Sequence, residues 1–159
     1  MLRHRATRDS RSGATLVESA IVLPVFLLFV IATVDLGLAV HRYNLVAWSA
    51  HEIGRQAAVH GSLAPPEKLD WGPDTVIWSS IVPVDEDREL NDIGEVVSPF
   101  VKHLREPRTE VQIEWPDGAN HWGDRVRVTV NSPYEPLAFV LFGRPTIDLT
   151  ATCTRQIEH

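Results

Sequence analysis

The chain has 159 residues, with 15 Lys+Arg against 21 Asp+Glu and a formal net charge of −6, a length that sets one modest domain with an appendage and excludes most large enzyme folds. Its single cysteine, Cys153, excludes an intrachain disulfide framework and any multi-cysteine metal site. The composition, 44% hydrophobic and 23% charged, is that of an ordered chain, but it hides a segregation: from Ala14 to Val40 the only formal charges are Glu18 and Asp35.

Residues 1–13, MLRHRATRDSRSG, carry Arg3, Arg5, Arg8 and Arg11 against Asp9 alone. The uncharged run Ser19–Val34 that follows spans ~24 Å as a helix. Continued through Val40, it reaches the ~30 Å of a hydrocarbon core, with Asp35 near the far edge. A membrane segment is therefore expected at about 17–40. The basic flank keeps the N-terminus cytoplasmic and exports the rest, which gives a single-pass protein of the cytoplasmic (inner) membrane with a periplasmic or extracellular C-terminal domain. Three fates are open to this segment. It is a secretory signal peptide lost near Ala39, an uncleaved anchor, or the product of a cut after Gly13. Against the first, the apolar run exceeds the h-region of a signal peptide, and Asp35 is ill-suited to a cleavage region.

Glu18 tests the third fate. A carboxylate inside the apolar boundary costs a few kcal/mol unless a cation meets it. One account places it in the first turn of a helix, favoured by the macrodipole. In the other, a cut between Gly13 and Ala14 leaves the α-ammonium of Ala14 four residues before Glu18. Within one chain the two groups are badly placed for each other, but between packed neighbours they form a strongly orienting pair. Pro24 lacks the N–H that would reach the Ala20 carbonyl, so a bend in the membrane helix is expected there.

The basic leader, Gly13, Ala14-Thr15-Leu16-Val17-Glu18 and the hydrophobic helix together resemble the class III signal of type IV pilin-like proteins. GATLVESAIVLPVFLLFVIATVDLG, with Gly13, Glu18, Leu23-Pro24 and Asp35-Leu36-Gly37, is similar to the start of TadE-like proteins, the minor pseudopilins of tight-adherence (Flp) pili. Tyr43-Asn44, Ala50 and the small-residue stretch Gly54–Ala58 extend the likeness through the first 60 residues, the C-terminal strands and the closing polar tail resemble the family loosely, and 62–107 has little to match. Ser19 departs from the large apolar residue many relatives carry after the glutamate. The resemblance implies cleavage after Gly13 by a prepilin peptidase and assembly with other pilin-like subunits, with Glu18 setting the register.

Beyond the membrane, helix-compatible residues continue to Gly61, a stop signal, so that 14–60 would form one helix of ~70 Å. Val46, Ala50, Ile53 and Ala57 recur on one face with Trp48 nearby, leaving Arg42, Glu52 and Arg55 to point to water. Residues 62–84, with Pro65, Pro66, Pro73 and Pro83, read as an irregular segment holding one short element at 75–81. Asp85-Glu86-Asp87 lacks EF-hand spacing and reads as a solvated acidic loop. Ser98-Pro99 fits a cap and first helical residue, predicting a short helix at 99–104, with a further turn or two before it as an option.

Alternation in Val111/Ile113/Trp115, Val126/Val128/Val130 and Ile147/Leu149/Ala151/Cys153 predicts three strands. Trp115-Pro116-Asp117-Gly118 would open the first loop, and Asn131-Ser132-Pro133 would end the second strand. One wet and one apolar face imply an antiparallel sheet covered on a single side by the stalk helix. The apolar run Leu137–Phe142 either closes the sheet, the preferred reading, or contacts membrane or another subunit. The expected architecture is α+β: a leader at 1–13, a long helix at 14–60, and an exported domain at 61–159 with about three to four strands.

No cofactor, metal or catalytic set is expected. His51-Glu52-Ile53-Gly54-Arg55 starts like a zinc-protease helix but has Arg55 where the second histidine must sit. Cys153 falls on the core face, where a thiol is inert, and tryptophans 48, 71, 78, 115 and 122 suit core or interface. Without the leader's four arginines and one aspartate the chain holds 11 basic and 20 acidic residues, which excludes nucleic acid as a natural partner. The function that fits is structural, in a pilus or related secretion machine. An uncleaved single-pass protein with an exported ligand- or partner-binding domain is the rival, and a secreted hydrolase ranks third.

Overall fold

A computed structural model describes residues 9–63, 71–79, 88–104, 108–137 and 146–158; of residues 9–12 and 88–92 only the backbone is described. Helix α1, Asp9–Ala58, is one element of 50 residues that runs on through Pro24. From Ala20 to Ala32 it is apolar on every side, which suits lipid, where a backbone must satisfy its own hydrogen bonds. Its second half is amphipathic, with Val46, Ala50, Ile53 and Ala57 buried at 0–1% exposure, as their spacing predicts.

The helix ends at Ala58, two residues short of the expected end, and its last turns are tied off. Val59 N–H reaches the Gln56 carbonyl at 3.1 Å, and His60 N–H the Ala57 carbonyl at 3.2 Å. The Ala58 carbonyl accepts from Glu158 N–H at 3.0 Å, so the C-terminal tail caps the helix. Trp71 is fully buried and stacks on His60 with ring centroids 4.1 Å apart.

The sheet has four antiparallel strands in the order β1 (Val76–Ser79), β2 (Glu110–Glu114), β3 (Arg125–Tyr134) and β4 (Ile147–Gln156). Strand β1 realises the short element expected at 75–81, of which 80 and 81 lie outside the described residues. Between β2 and β3, Gly118 N–H bonds the Trp115 carbonyl at 3.0 Å. The Asp117 carboxylate takes the Arg125 backbone N–H at 2.9 Å and its guanidinium at 2.6 Å, closing the loop. Buried Val126, Val128 and Val130 face the core, with exposed Arg125 and Arg127 on the other side. Thr129 and Thr152 pair across that wet face at 3.2 Å.

The expected extents of β3 and of the short helix need correction. Strand β3 does not end at Asn131–Pro133 but continues to Tyr134, with Pro133 opposite Asp148. Among the described residues ladder pairing with β2 stops at Asn131, so Pro133 sits where β3 is no longer a central strand, a position that tolerates proline. The short helix is also longer than expected. Helix α2 covers Arg88–Val101 and passes into a 3₁₀ turn at Lys102–Leu104. Ser98-Pro99 therefore lies inside it and not at its cap. The apolar stripe Ile93, Val97, Val101 and Leu104, all buried, outweighs the hydrogen bond lost at Pro99.

Helix α1 packs on β3 and β4, while α2 packs on α1 and β1. Ser49 Oγ donates to the Leu45 and Phe100 carbonyls at 2.9 and 3.0 Å, and Trp48 meets Phe100 edge-on at 6.0 Å. Arg42, expected in water, instead is half-buried and donates to the Leu104 carbonyl. The acidic loop at 85–87 and all but Leu137 of the Leu137–Phe142 run lie outside the described residues.

Candidate functional site

From Leu16 to Val40 helix α1 carries exposed large apolar side chains, including Leu16 at 71% and Phe29 at 71%. Among the described residues, Gly13–Ala58 is the one helix long and apolar enough to cross a membrane. Such a surface in water would be a severe liability, so lipid is its natural solvent. The molecule has the make-up of a single-pass membrane protein.

The residues singled out in the sequence fall along this helix. Gly13 and Ala14 are exposed within it, and a Cβ at Gly13 would meet nothing within 4 Å. Glu18 is exposed and lines an open depression of about 380 Å³ with Thr15, Ser19, Leu23 and Phe26. Pro24 lies between Leu23 and Phe26, within the stretch of helix that lines this depression. Because α1 already exists at Asp9, Glu18 is more than two turns inside the uncut helix. The macrodipole effect is confined to the first turn, so it does not account for a carboxylate at this position while the leader is attached.

The globular domain grips the helix one membrane thickness further on. Asp35 is only 6% exposed. Its Oδ1 accepts the Leu137 backbone N–H at 2.9 Å, and its carbonyl accepts the Tyr134 hydroxyl at 3.3 Å. Burial pushes the Tyr134 phenol above its ordinary pKa, and the nearby Asp35 charge adds to the effect. Asp35, to which the sequence assigned no partner, is thus the hook for the β3–β4 end of the sheet. The signal was present, since an acid in an apolar tract needs a partner, but that partner lies about a hundred residues away.

Residues 13–55 match the family model of TadE-like protein. Over this stretch the chain is similar to TadE-like proteins. No curated protein and no solved structure gives a match. The TadE-like segment holds Gly13, Glu18, Pro24 and Asp35, and it continues into the packing face formed by Val46, Ala50 and Ile53. Near its end Gly54 lets the helix approach β4: a Cβ there would stand 3.3 Å from Cys153 Sγ. Cys153, 5% exposed, lies on the core face as its alternation predicts. Sequence reading missed its neighbour, His51, whose Nδ1 is 3.2 Å from Sγ. Among the described residues no group of three or more His, Cys, Asp or Glu side chains could hold a metal ion.

Proposed function

We propose that the chain is a minor pseudopilin, a structural subunit of a tight-adherence pilus or related secretion machine, with no catalytic role. The observation that carries this reading is the TadE-like match, which starts at Gly13 and takes in the whole exposed apolar run of α1 together with the start of its packing face. The chain is held in the inner membrane with its N-terminus cytoplasmic, the basic residues of 1–13 resisting transfer. A prepilin peptidase removes 1–13 and exposes the α-ammonium of Ala14. A neighbouring pilin-like subunit presents its own amino terminus to Glu18, and the charge pair sets the stagger while apolar packing supplies cohesion. Helix propensity favours the cut, because glycine is the weakest non-proline helix residue; Gly13 is a point where α1 unwinds at small cost.

Intact mass of the protein from host membranes tests the processing step. Loss of residues 1–13 is the expected result, whereas a retained leader favours an uncleaved anchor and loss of about 39 residues a signal peptide. Glu18→Ala is then expected to leave cleavage intact while the subunit drops out of crosslinked complexes. Incorporation equal to wild type would remove Glu18 from the mechanism.

A further inference from the structure

The sheet end beside Asp35 carries apolar surface that the protein fold does not require. Leu137 is 57% and Ile147 45% exposed, next to Leu36 at 67%. Ala32, Leu36 and Ala39 of the helix, with Asp35 between them, and Tyr134, Pro136 and Ile147 of the domain line an open cavity of about 260 Å³ whose exposed walls are almost wholly apolar. Apolar side chains that converge on an open cavity are unfavourable in water.

Distance along the helix identifies what surrounds this end. Leu16 is an early member of the exposed apolar run, and Asp35 follows 19 residues later, a rise of ~28 Å. A hydrocarbon core is ~30 Å thick. Any tilt of the helix carries Asp35 deeper. The apolar surface also continues past Asp35 through Leu36, Leu38 and Val40. The domain is hydrogen-bonded to Asp35 itself, so it cannot stand away from the membrane on a free stalk. Leu137 and Ile147 are brought to the depth at which acyl chains meet headgroups.

We propose that the Tyr134–Leu137 and Ile147 end of the sheet is seated in the leaflet that adjoins the globular domain, with lipid acyl chains filling the cavity between it and α1. The surface is continuous with the lipid-facing side of the membrane helix, and lipid is therefore the occupant. Bilayer contact excludes water from the Asp35–Leu137 hydrogen bond and strengthens it, so the membrane orients the domain. The proposal requires α1 to cross a bilayer and is indifferent to removal of residues 1–13.

The test uses the full chain with Cys153→Ser and one new cysteine at a time: Leu137→Cys, Ile147→Cys, Trp122→Cys or Phe29→Cys. Each is labelled with the fluorophore NBD and reconstituted in phosphatidylcholine–phosphatidylglycerol vesicles, with or without brominated acyl chains. Trp122, 72% exposed, belongs to the β2–β3 loop, and β3 runs nine residues from that end to Tyr134, ~30 Å of strand. Phe29 reports the membrane core. The expected result is loss of emission in brominated lipid at 29, 137 and 147, with 122 unaffected. Quenching at 29 alone would overturn the proposal by leaving the sheet end in water. Blue-shifted but unquenched label at 137 and 147 would overturn it in favour of a protein occupant. Equal quenching at 122 would overturn the end-on seating.

Discussion

Asp35→Ala isolates the contact that joins the membrane helix to the sheet. The substitution removes the carboxylate that accepts Leu137 N–H at 2.9 Å but leaves the backbone carbonyl that receives the Tyr134 hydroxyl. A hydrogen bond to a charged group contributes about 1.5–3 kcal/mol. At 1.4 kcal/mol per factor of ten, loss of that contribution is roughly 10- to 150-fold in the opening equilibrium. Hydrogen exchange of the Leu137 amide in nanodiscs reads this directly, because a local opening exposes it to exchange. Exchange is expected to accelerate by that factor in Asp35→Ala, and by less in Asp35→Asn, which keeps a neutral acceptor oxygen. Tyr134→Phe removes the longer bond and is expected to cost only about 0.5–1.5 kcal/mol. A Leu137 amide that exchanges at the wild-type rate in Asp35→Ala would refute the hook. So would acceleration spread evenly over β2 and β3, since that reports global loss of stability.

Other outcomes follow from the packing and charges. Gly72 has φ +98°, and a Cβ there would lie 2.5 Å from Trp115 Cε2; Gly72→Ala is expected to destabilise the domain by roughly 2–5 kcal/mol, read by denaturant unfolding. At Gly54 two effects oppose: alanine gains about 1 kcal/mol of helix propensity but meets Cys153 Sγ at 3.3 Å, so Gly54→Ala should be nearly neutral and Gly54→Val destabilising by about 1–3 kcal/mol in the same assay. The Arg125 guanidinium, helped by the Arg125 backbone N–H, lowers Asp117 from 3.8 to about 2. Its loop-closing contribution is therefore full above the ordinary carboxylate range and lost as pH falls toward 2. Arg125→Gln should move the Asp117 carbonyl-carbon NMR titration back up, and an unchanged midpoint would exclude the guanidinium as the cause.

The membrane helix was legible because lipid imposes a local rule: some twenty apolar residues in a row, whatever they later touch. The likeness to TadE-like proteins was legible for the same reason, since Gly13, Glu18, Pro24 and Asp35 sit on one continuous segment. Strand alternation exposed the faces of β2, β3 and β4, because a half-buried strand needs a two-residue period. The ends of elements were less visible. Ser98-Pro99 carries a cap signal that a buried stripe from Ile93 to Leu104 overrides, and Pro133 marks a strand end only if both neighbours are still paired.

By itself the sequence determined which stretch of the chain is apolar enough for lipid, which helix face is apolar and that the remainder is a sheet with one wet side, all of them consequences of composition at short range. Only the tertiary structure decided what Asp35, Arg42 and His51 do, because their partners at Leu137, Leu104 and Cys153 are 62 to 102 residues distant. Buried polar groups must find hydrogen bonds, but which ones they find depends on how the whole chain packs.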